Sequence, residues 1–298
     1  MSSVLFDTLG PRGLKTSKIA SIIAGVLLAA FLSIVLLRLD SKGQLEGQRW
    51  AILLDPASGV PQTLGMALLA TLQAAVLGMV FSLVVGALLA AMRLSSHRTL
   101  SVVASILVEA FRGVPLLLLM LFAALGLPRI GIELNVLTMV IVALVVYNSA
   151  VISEIIRAGI ESIGRGQTEA ALAMGMRPFE VLVRILMPQA IPAMAPLLVS
   201  QLVILLKDTS IGYVIGYAEL LRSGRSLVEF YGNRYGLQIY LAVALIYILV
   251  NVLISLTARR LTRRNGKRKP NTPTGTLAEG RLDDGPLEPR RAADPLPK

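Results

Sequence analysis

The chain is 298 residues long, 55% hydrophobic and 16% charged, with no cysteine, one histidine and a formal net charge of +11. With a mean hydropathy of +0.72, it lies far above the roughly even apolar share of soluble domains, so the composition requires a bilayer. Disulfides and thiolate metal sites are excluded, a single histidine cannot build a metal-binding cluster, and no metal or cofactor is expected in this chain.

Taken in order, the apolar stretches long enough to cross hydrocarbon, about 20 residues each, fall near residues 19–37, 63–92, 100–125, 135–158, 190–211 and 236–258. They predict an all-α membrane protein with six transmembrane helices. The first span follows a basic N-terminal segment, residues 1–18. It exceeds the roughly 7 to 15 residues of a secretory signal core and has no small-x-small cleavage site after it, so it reads as a retained helix. Trp50 in the following loop, which ends near residue 61, is a candidate interfacial anchor. In the second span Gly78, Ser82, Gly86 and Ala90 recur every four residues, giving a smooth face for close helix packing within or between subunits.

Polar residues at membrane depth are costly and mark either bracing or function. Glu109 and Arg112 in the third span lie three apart on one face, within ion-pair reach. Either they neutralise each other and brace the bundle beside Pro115, or one of them reaches a translocation path. In the fourth span Ser149, Ser153 and Arg157 share a face, and Glu154, Arg157 and Glu161 form a neighbouring stripe. Asn148 lies deeper and either hydrogen-bonds a zwitterionic substrate or ties one helix to another.

Residues 164–190 are a polar segment between two long apolar runs. Gln167 to Met174 favours helix, with Glu169 near the positive end of its dipole; Gly175 can end it at positive φ, and Pro178 suits the first turn of the next. Two short helices with a bend are expected, with Ala170, Ala171 and Ala173 leaving a low-profile docking surface. Pro188, Pro192 and Pro196 free backbone groups as the chain re-enters the membrane. In the fifth span Gln201 and Asp208 lie seven apart, with Ser200 and Lys207 beside them, as in a water-lined path. The segment 212–235 is too polar to cross easily and is expected along the outer face, presenting Arg222, Arg225 and Glu229 to a delivering protein.

Arg12, Lys15 and Lys18 precede the first span, and Arg259, Arg260, Arg263, Arg264, Lys267, Arg268 and Lys269 follow the last. The positive-inside rule therefore places both termini, and with six spans residues 164–190, in the cytoplasm. This basic excess sits at membrane-adjacent ends without interleaved aromatics, which fits anionic lipid and not nucleic acid. Residues 259–298 read as a basic, then unstructured cytoplasmic tail. A nucleotide-binding loop is absent, because the Gly266-Lys267 pair has Leu261 where the first glycine is required. No nucleophile and base pairing stands out, so the chain reads as non-catalytic.

The order Glu169-Ala170-Ala171, Gly175, Ile185, Pro188, with Met187 where leucine is usual, resembles the coupling motif of importer-type ABC permeases. Glu109-Ala110-Phe111-Arg112-Gly113-Val114-Pro115, Glu154-Ile155-Ile156-Arg157-Ala158-Gly159-Ile160 and Lys207-Asp208-Thr209-Ser210 together resemble the polar amino acid permease family over about residues 62–258. Residues 1–18 resemble the start of a permease subunit of actinobacterial glutamate uptake systems.

The resemblance implies a MetI-like core of five helices, with residues 19–61 adding one more, in a multi-pass protein of the bacterial cell membrane. It implies a second permease subunit, identical or different, and an external substrate-binding protein. It also implies a separate ATPase carrying ATP-Mg, docked through Gln167, Glu169, Ala170, Ala171, Gly175 and Pro188. The substrate that the resemblance implies is a polar amino acid, tilted toward glutamate or aspartate, with glutamine, arginine and histidine as alternatives. Candidates for its path are Glu109, Arg112, Asn148, Glu154, Gln201, Lys207 and Asp208. Two rivals stand beside this. An ion-coupled secondary transporter would use Glu109, Glu154 and Asp208 but not the elbow, and a membrane adaptor would leave the polar stripe of the fifth span unexplained.

Overall fold

The structure is a computed structural model that describes residues 11–265. The resemblance at residues 4–10 and the tail from Pro270 lie outside them. Every regular element among the described residues is helical. The long helices are α1 (Pro11–Ser41), α3 (Val60–Arg93), α4 (Arg98–Gly113), α6 (Val136–Glu161), α9 (Met187–Asp208) and α11 (Gly236–Asn265). Between them lie the shorter α2 (Gly47–Ala51), α5 (Leu116–Leu121), α7 (Arg165–Ala173), α8 (Pro178–Glu180) and α10 (Leu220–Tyr231).

Among the described residues five helices are long and apolar enough to cross a membrane, and the pair Arg98–Gly113 and Leu116–Ile130 makes a sixth passage that is bent by 96°. The run expected as one span over 100–125 is therefore two helices. Pro115 has no N–H to continue the ladder, and it forces Val114 out of the helical region, to φ −92° and ψ 125°.

Helix directions decide what the bent pair does. Gly78 of α3 lies against Leu144 of α6, Gly86 against Ser149 and Ile152, and Arg93 against Glu154. The contacts advance together along both helices, so α3 and α6 are parallel. A parallel pair requires the intervening chain to return across the layer, so α4 and α5 form one broken crossing and not a re-entrant loop. In contrast, α9 runs against α6, since Asn148 meets Gln201 while Gly159 meets Met194. The beginnings of α3 and α11 pack together through Val60, Leu64, Ala67, Ile239 and Val243. One face of the molecule thus carries the turn after Arg93, residues 162–177 and the end of α11. The opposite face carries residues 42–59, 131–135 and 209–235.

The four-residue stripe of small side chains is the seam between α3 and α6, inside one chain. Gly78, Ser82, Gly86 and Ala90 are all buried, and a Cβ at Gly86 would stand 2.9 Å from the Ser149 carbonyl oxygen and 2.8 Å from Ile152 Cγ2. Only glycine allows that approach of backbone to backbone. The remaining core joins Leu116 and Met120 of α5, Val140 and Leu144 of α6, and Leu205 and Leu206 of α9.

By contrast α1 is apolar and exposed from Ile19 to Leu37, and none of those residues is part of the described core. Its outgoing loop is fastened to the bundle. Gln238 Nε2 donates to the Gln44 carbonyl at 2.8 Å, Trp50 Nε1 donates to the same carbonyl at 3.0 Å, and the Tyr231 hydroxyl donates to the Ser58 carbonyl. This places the end of α1 on the face opposite residues 162–177, so its beginning, like the end of α11, lies on their side.

Candidate functional site

Residues 164–188 form the elbow that the sequence suggests, with two differences in packing. The first helix is α7, which begins at Arg165 and so leaves Glu169 beyond its first turn and not at the positive end of the dipole as expected, and it stops where Gly175 takes φ +83°. The Gly175 N–H donates to the Leu172 carbonyl at 2.9 Å and the Met176 N–H to the Ala171 carbonyl at 3.2 Å, satisfying the helix end. Pro178 opens α8, and the Arg177 N–H donates to Glu180 Oε2 at 3.1 Å. The second short helix does not stand alone, however. It continues through the π-helical turn Val181–Leu186 directly into α9. Pro188 has no N–H for the Arg184 carbonyl, and the wider π register accommodates that gap.

The second difference concerns the alanines. Ala171 is buried, facing the π turn below, whereas Gln167, Glu169, Ala170 and Ala173 are exposed. Ala171 thus seats α7 on the bundle and is not part of the surface. Met174 and Phe179, 74% and 73% exposed, add an apolar rim. Beside it lies a cavity of about 360 Å³ lined mainly by Leu94, Ile160, Leu172, Phe179, Leu182 and Leu186. Exposed apolar area of this kind is found where proteins meet other proteins, membranes or ligands.

On the same face, Glu154 gathers arginines from three helices. It meets Arg93 of α3 at 2.6 Å, Arg157 of its own helix at 2.5 Å, and Arg112 of α4 at 3.7 Å. Arg157 also pairs with Glu161. The anticipated Glu109–Arg112 pair is not made. Glu109 is exposed with no ion pair among the described residues, because Arg112, at the end of α4, turns toward α6.

Deeper in the bundle, Gln201 Nε2 donates to Asn148 Oδ1 at 2.7 Å, and Asn148 Nδ2 donates to the Leu144 carbonyl at 2.8 Å. Asn148 is fully buried. The helix-to-helix hydrogen bond among its two readings is present. Lys207 is exposed and Asp208 half-buried, at the far end of α9. Lys207 lines a cavity of about 520 Å³ between α9, α10 and α11, with Ser210, Leu221, Tyr240, Tyr247 and Asn251 among its walls. Asn251 donates Nδ2 to the Tyr247 carbonyl at 2.8 Å, while its buried Oδ1 has no partner among the described residues. Val243, Ala244 and Ile248 make the rest of the wall apolar, so the cavity is an apolar pocket with a few polar groups, Lys207 the one cation among them, as small-molecule sites commonly are.

The sequence reading missed Glu219, which is fully buried and tied into three elements. Its carboxylate accepts from the backbone N–H of Leu221 at 2.9 Å and Arg222 at 2.7 Å, capping α10, and from the Tyr247 hydroxyl of α11 at 2.7 Å. Next to it the Leu220 N–H donates to Thr71 Oγ1 of α3 at 3.1 Å, and the Tyr217 hydroxyl to the Ala70 carbonyl at 2.7 Å. Burial raises the proton affinity of Glu219 above the usual carboxylate range, outweighing the lowering by Leu221, Tyr247 and Arg222. An acidic residue directly before an amphipathic helix was the available signal.

Six apolar passages, a polar crossing between α6 and α9, and an exposed elbow built into the foot of a spanning helix define a membrane permease subunit. Residues 82–267 match the family described as binding-protein-dependent transport system inner membrane component. The chain belongs to that family, as a multi-pass inner membrane protein and the permease component of an ABC amino acid importer. It is 37% identical over 238 residues to the glutamate transport system permease protein GluD of Corynebacterium glutamicum, covering 78% of this chain and 86% of that one. It is 40% identical over 197 residues to the probable glutamine ABC transporter permease protein GlnP of Bacillus subtilis, covering 66% and 90%. Among solved structures, an amino acid ABC transporter crystallised with histidines aligns at a TM-score of 0.65 and 31% identity, over 70% of this chain and 97% of that one.

Proposed function

We propose that this chain is the transmembrane subunit of an ATP-driven glutamate and aspartate importer, coupled through α7 to a separate ATPase that binds ATP-Mg. The observation that carries the reading is mechanical. The second limb of the exposed elbow runs without interruption, through residues 178–186, into the helix that bears Gln201 and Lys207, and α7 packs against that limb. A partner closing on Gln167, Glu169, Ala170 and Ala173 would move α7, and Ala171 and Gly175 would pass that movement to the foot of α9. The basic residues Lys18 and Arg260 belong to the elbow's side of the molecule, which the positive-inside rule makes cytoplasmic.

The opposite face is then external, where a binding protein delivers substrate and the Lys207 cavity receives it. Lys207 supplies a cation for a carboxylate, and the kinship with GluD supports glutamate. The kinship with GlnP supports glutamine as the second reading. An ion-coupled secondary transporter loses its footing, because Glu154 is committed to arginines and the family is that of binding-protein-dependent systems. The exposed apolar sides of α1 and α3 leave room for lipid and for a second permease subunit.

The test is reconstitution with the partner subunits in liposomes, followed by ATP-dependent uptake of labelled glutamate against glutamine, arginine and histidine. Glutamate uptake that requires ATP and is abolished by Glu169→Lys is expected. Undiminished uptake by a well-expressed Glu169→Lys protein would sink the coupling assignment, and ATP-dependent uptake of a different amino acid would replace the substrate while keeping the mechanism.

A further inference from the structure

We propose that Arg222 and Arg225 are the docking contact for carboxylate side chains on the surface of the protein that delivers substrate. This rests on the reading above, in which the face opposite the elbow is external and a binding protein approaches it.

The sequence of α10 makes it an amphipathic strap. Leu220, Gly224, Leu227 and Val228 are buried, against the beginnings of α3 and α11. The other side presents Arg222, Arg225, Ser226 and Glu229. Tyr213, in the 3-10 turn Thr209–Ile215, lies under both guanidinium groups. Its ring centroid is 5.7 Å from the Arg222 Cζ and 5.4 Å from the Arg225 Cζ. Arg222 Nη1 also donates to the Tyr213 carbonyl at 3.3 Å, and Arg225 Nε to Glu229 Oε1 at 2.8 Å. Two otherwise flexible cations are thereby held at the rim of a polar recess of about 230 Å³. The described residues give them a single carboxylate between them, and their remaining N–H groups are left to a ligand.

The depth of the recess selects the ligand. Arg225 and Glu229 are 54% and 62% exposed, and pockets that retain a free small molecule bury most of it. An isolated ion pair in such water is worth little. A protein surface bearing several carboxylates gains orientation and encounter rate from the same charges, as expected of a rim contact. The free amino acid has a separate cavity on the other side of the first turn of α10, where Leu221 rather than Arg222 forms the wall.

The strap is also anchored as a docking element must be. Glu219 caps its start while bonded to Tyr247 of α11, and the Leu220 N–H is held by Thr71 of α3. A load on the arginines is therefore carried by two spanning helices and not by a loose loop.

The experiment uses the full transporter in lipid nanodiscs with the glutamate-loaded binding protein that stimulates it, reading ATPase rate against binding-protein concentration at low and high salt. For Arg222→Gln/Arg225→Gln the half-saturating concentration is expected to rise by about tenfold at low salt, with unchanged basal ATPase and a flattened salt dependence. Arg222→Lys/Arg225→Lys, which keeps charge but loses the guanidinium fork over Tyr213, is expected to fall between. An unchanged half-saturating concentration and salt profile in the double glutamine variant overturns the docking assignment alone. A variant that changes glutamate over glutamine selection without changing that concentration shows a substrate subsite and equally overturns it. Wild-type transporter that no binding protein stimulates removes the underlying functional reading, and the docking contact with it.

Discussion

Neutralising Glu154 is the most revealing single perturbation of the bundle. Its carboxylate holds Arg93 at 2.6 Å and Arg157 at 2.5 Å, two charge-assisted hydrogen bonds worth about 1.5–3 kcal/mol each in isolation. In Glu154→Gln the shape and one acceptor oxygen remain, and Arg157 keeps Glu161. Arg93 keeps only Ser105 Oγ at 3.4 Å, and its side chain is 14% exposed. Most of the cost is this one cation left without its counter-ion. Breaking a fully buried pair costs about 3–5 kcal/mol, and the 26% exposure of Glu154 lowers the expectation to roughly 2–3 kcal/mol. For a chain of this size that corresponds to a fall in Tm of about 4–12 °C, measured by fluorescence-detected size exclusion after heating in lipid nanodiscs. Arg93→Leu/Glu154→Leu removes both charges and should recover most of the loss. A Glu154→Gln protein that melts with the wild type, or a double variant as unstable as the summed singles, would refute the assignment of Glu154 as the tie between α3 and α6.

Three further outcomes are expected. Gly86→Ala places a methyl group against the Ser149 carbonyl and should cost about 1–3 kcal/mol, seen as a lower Tm, while Gly25→Ala in α1, where nothing lies nearby, should be silent. A double-mutant cycle of Asn148→Leu and Gln201→Leu should give a coupling of about 0.6–1.7 kcal/mol, and a value near zero would deny the hydrogen bond. Glu219 has its proton affinity raised in the native state, so the native protein holds more protons than the unfolded chain between the ordinary carboxylate value and the raised one. Its contribution is complete below the ordinary value and lost as pH rises through the raised one. Stability above the ordinary carboxylate value should fall with rising pH in the wild type and be flatter in Glu219→Gln, as followed by Tm against pH.

The elbow was legible in the sequence because its signals are local: Gly175 for the positive φ, Pro178 for a first turn, and polar residues between two apolar runs. The number of crossings was legible from hydropathy alone. Hydropathy reports how apolar a run is and not where it points, so the break at Gly113-Val114-Pro115 passed as part of one span although the proline was in view. Spacing rules pair residues on one helix, which is why Arg112 was matched with Glu109 when its partner, Glu154, arrives from α6. The same blindness hid Glu219, whose importance comes from Tyr247 and Thr71 on distant helices. Among the three alanines of the elbow nothing in residue type distinguishes Ala171, and only the position of the π turn beneath it turns that one inward.

The parallel run of α3 beside α6 bears on how the chain matures in the membrane. The glycine-containing side of α3 leaves the insertion machinery before its partner exists, and a complete broken crossing must be threaded before α6 can be laid alongside. Until then Gly78, Ser82 and Gly86 face lipid tails, where a smooth surface has little to hold it in place. Adjacent hairpins can close as they emerge, but this seam waits for the non-local partner. Variants of Gly86 should therefore be cleared by membrane quality control before the seam forms, lowering yield more than they lower the activity of the molecules that survive.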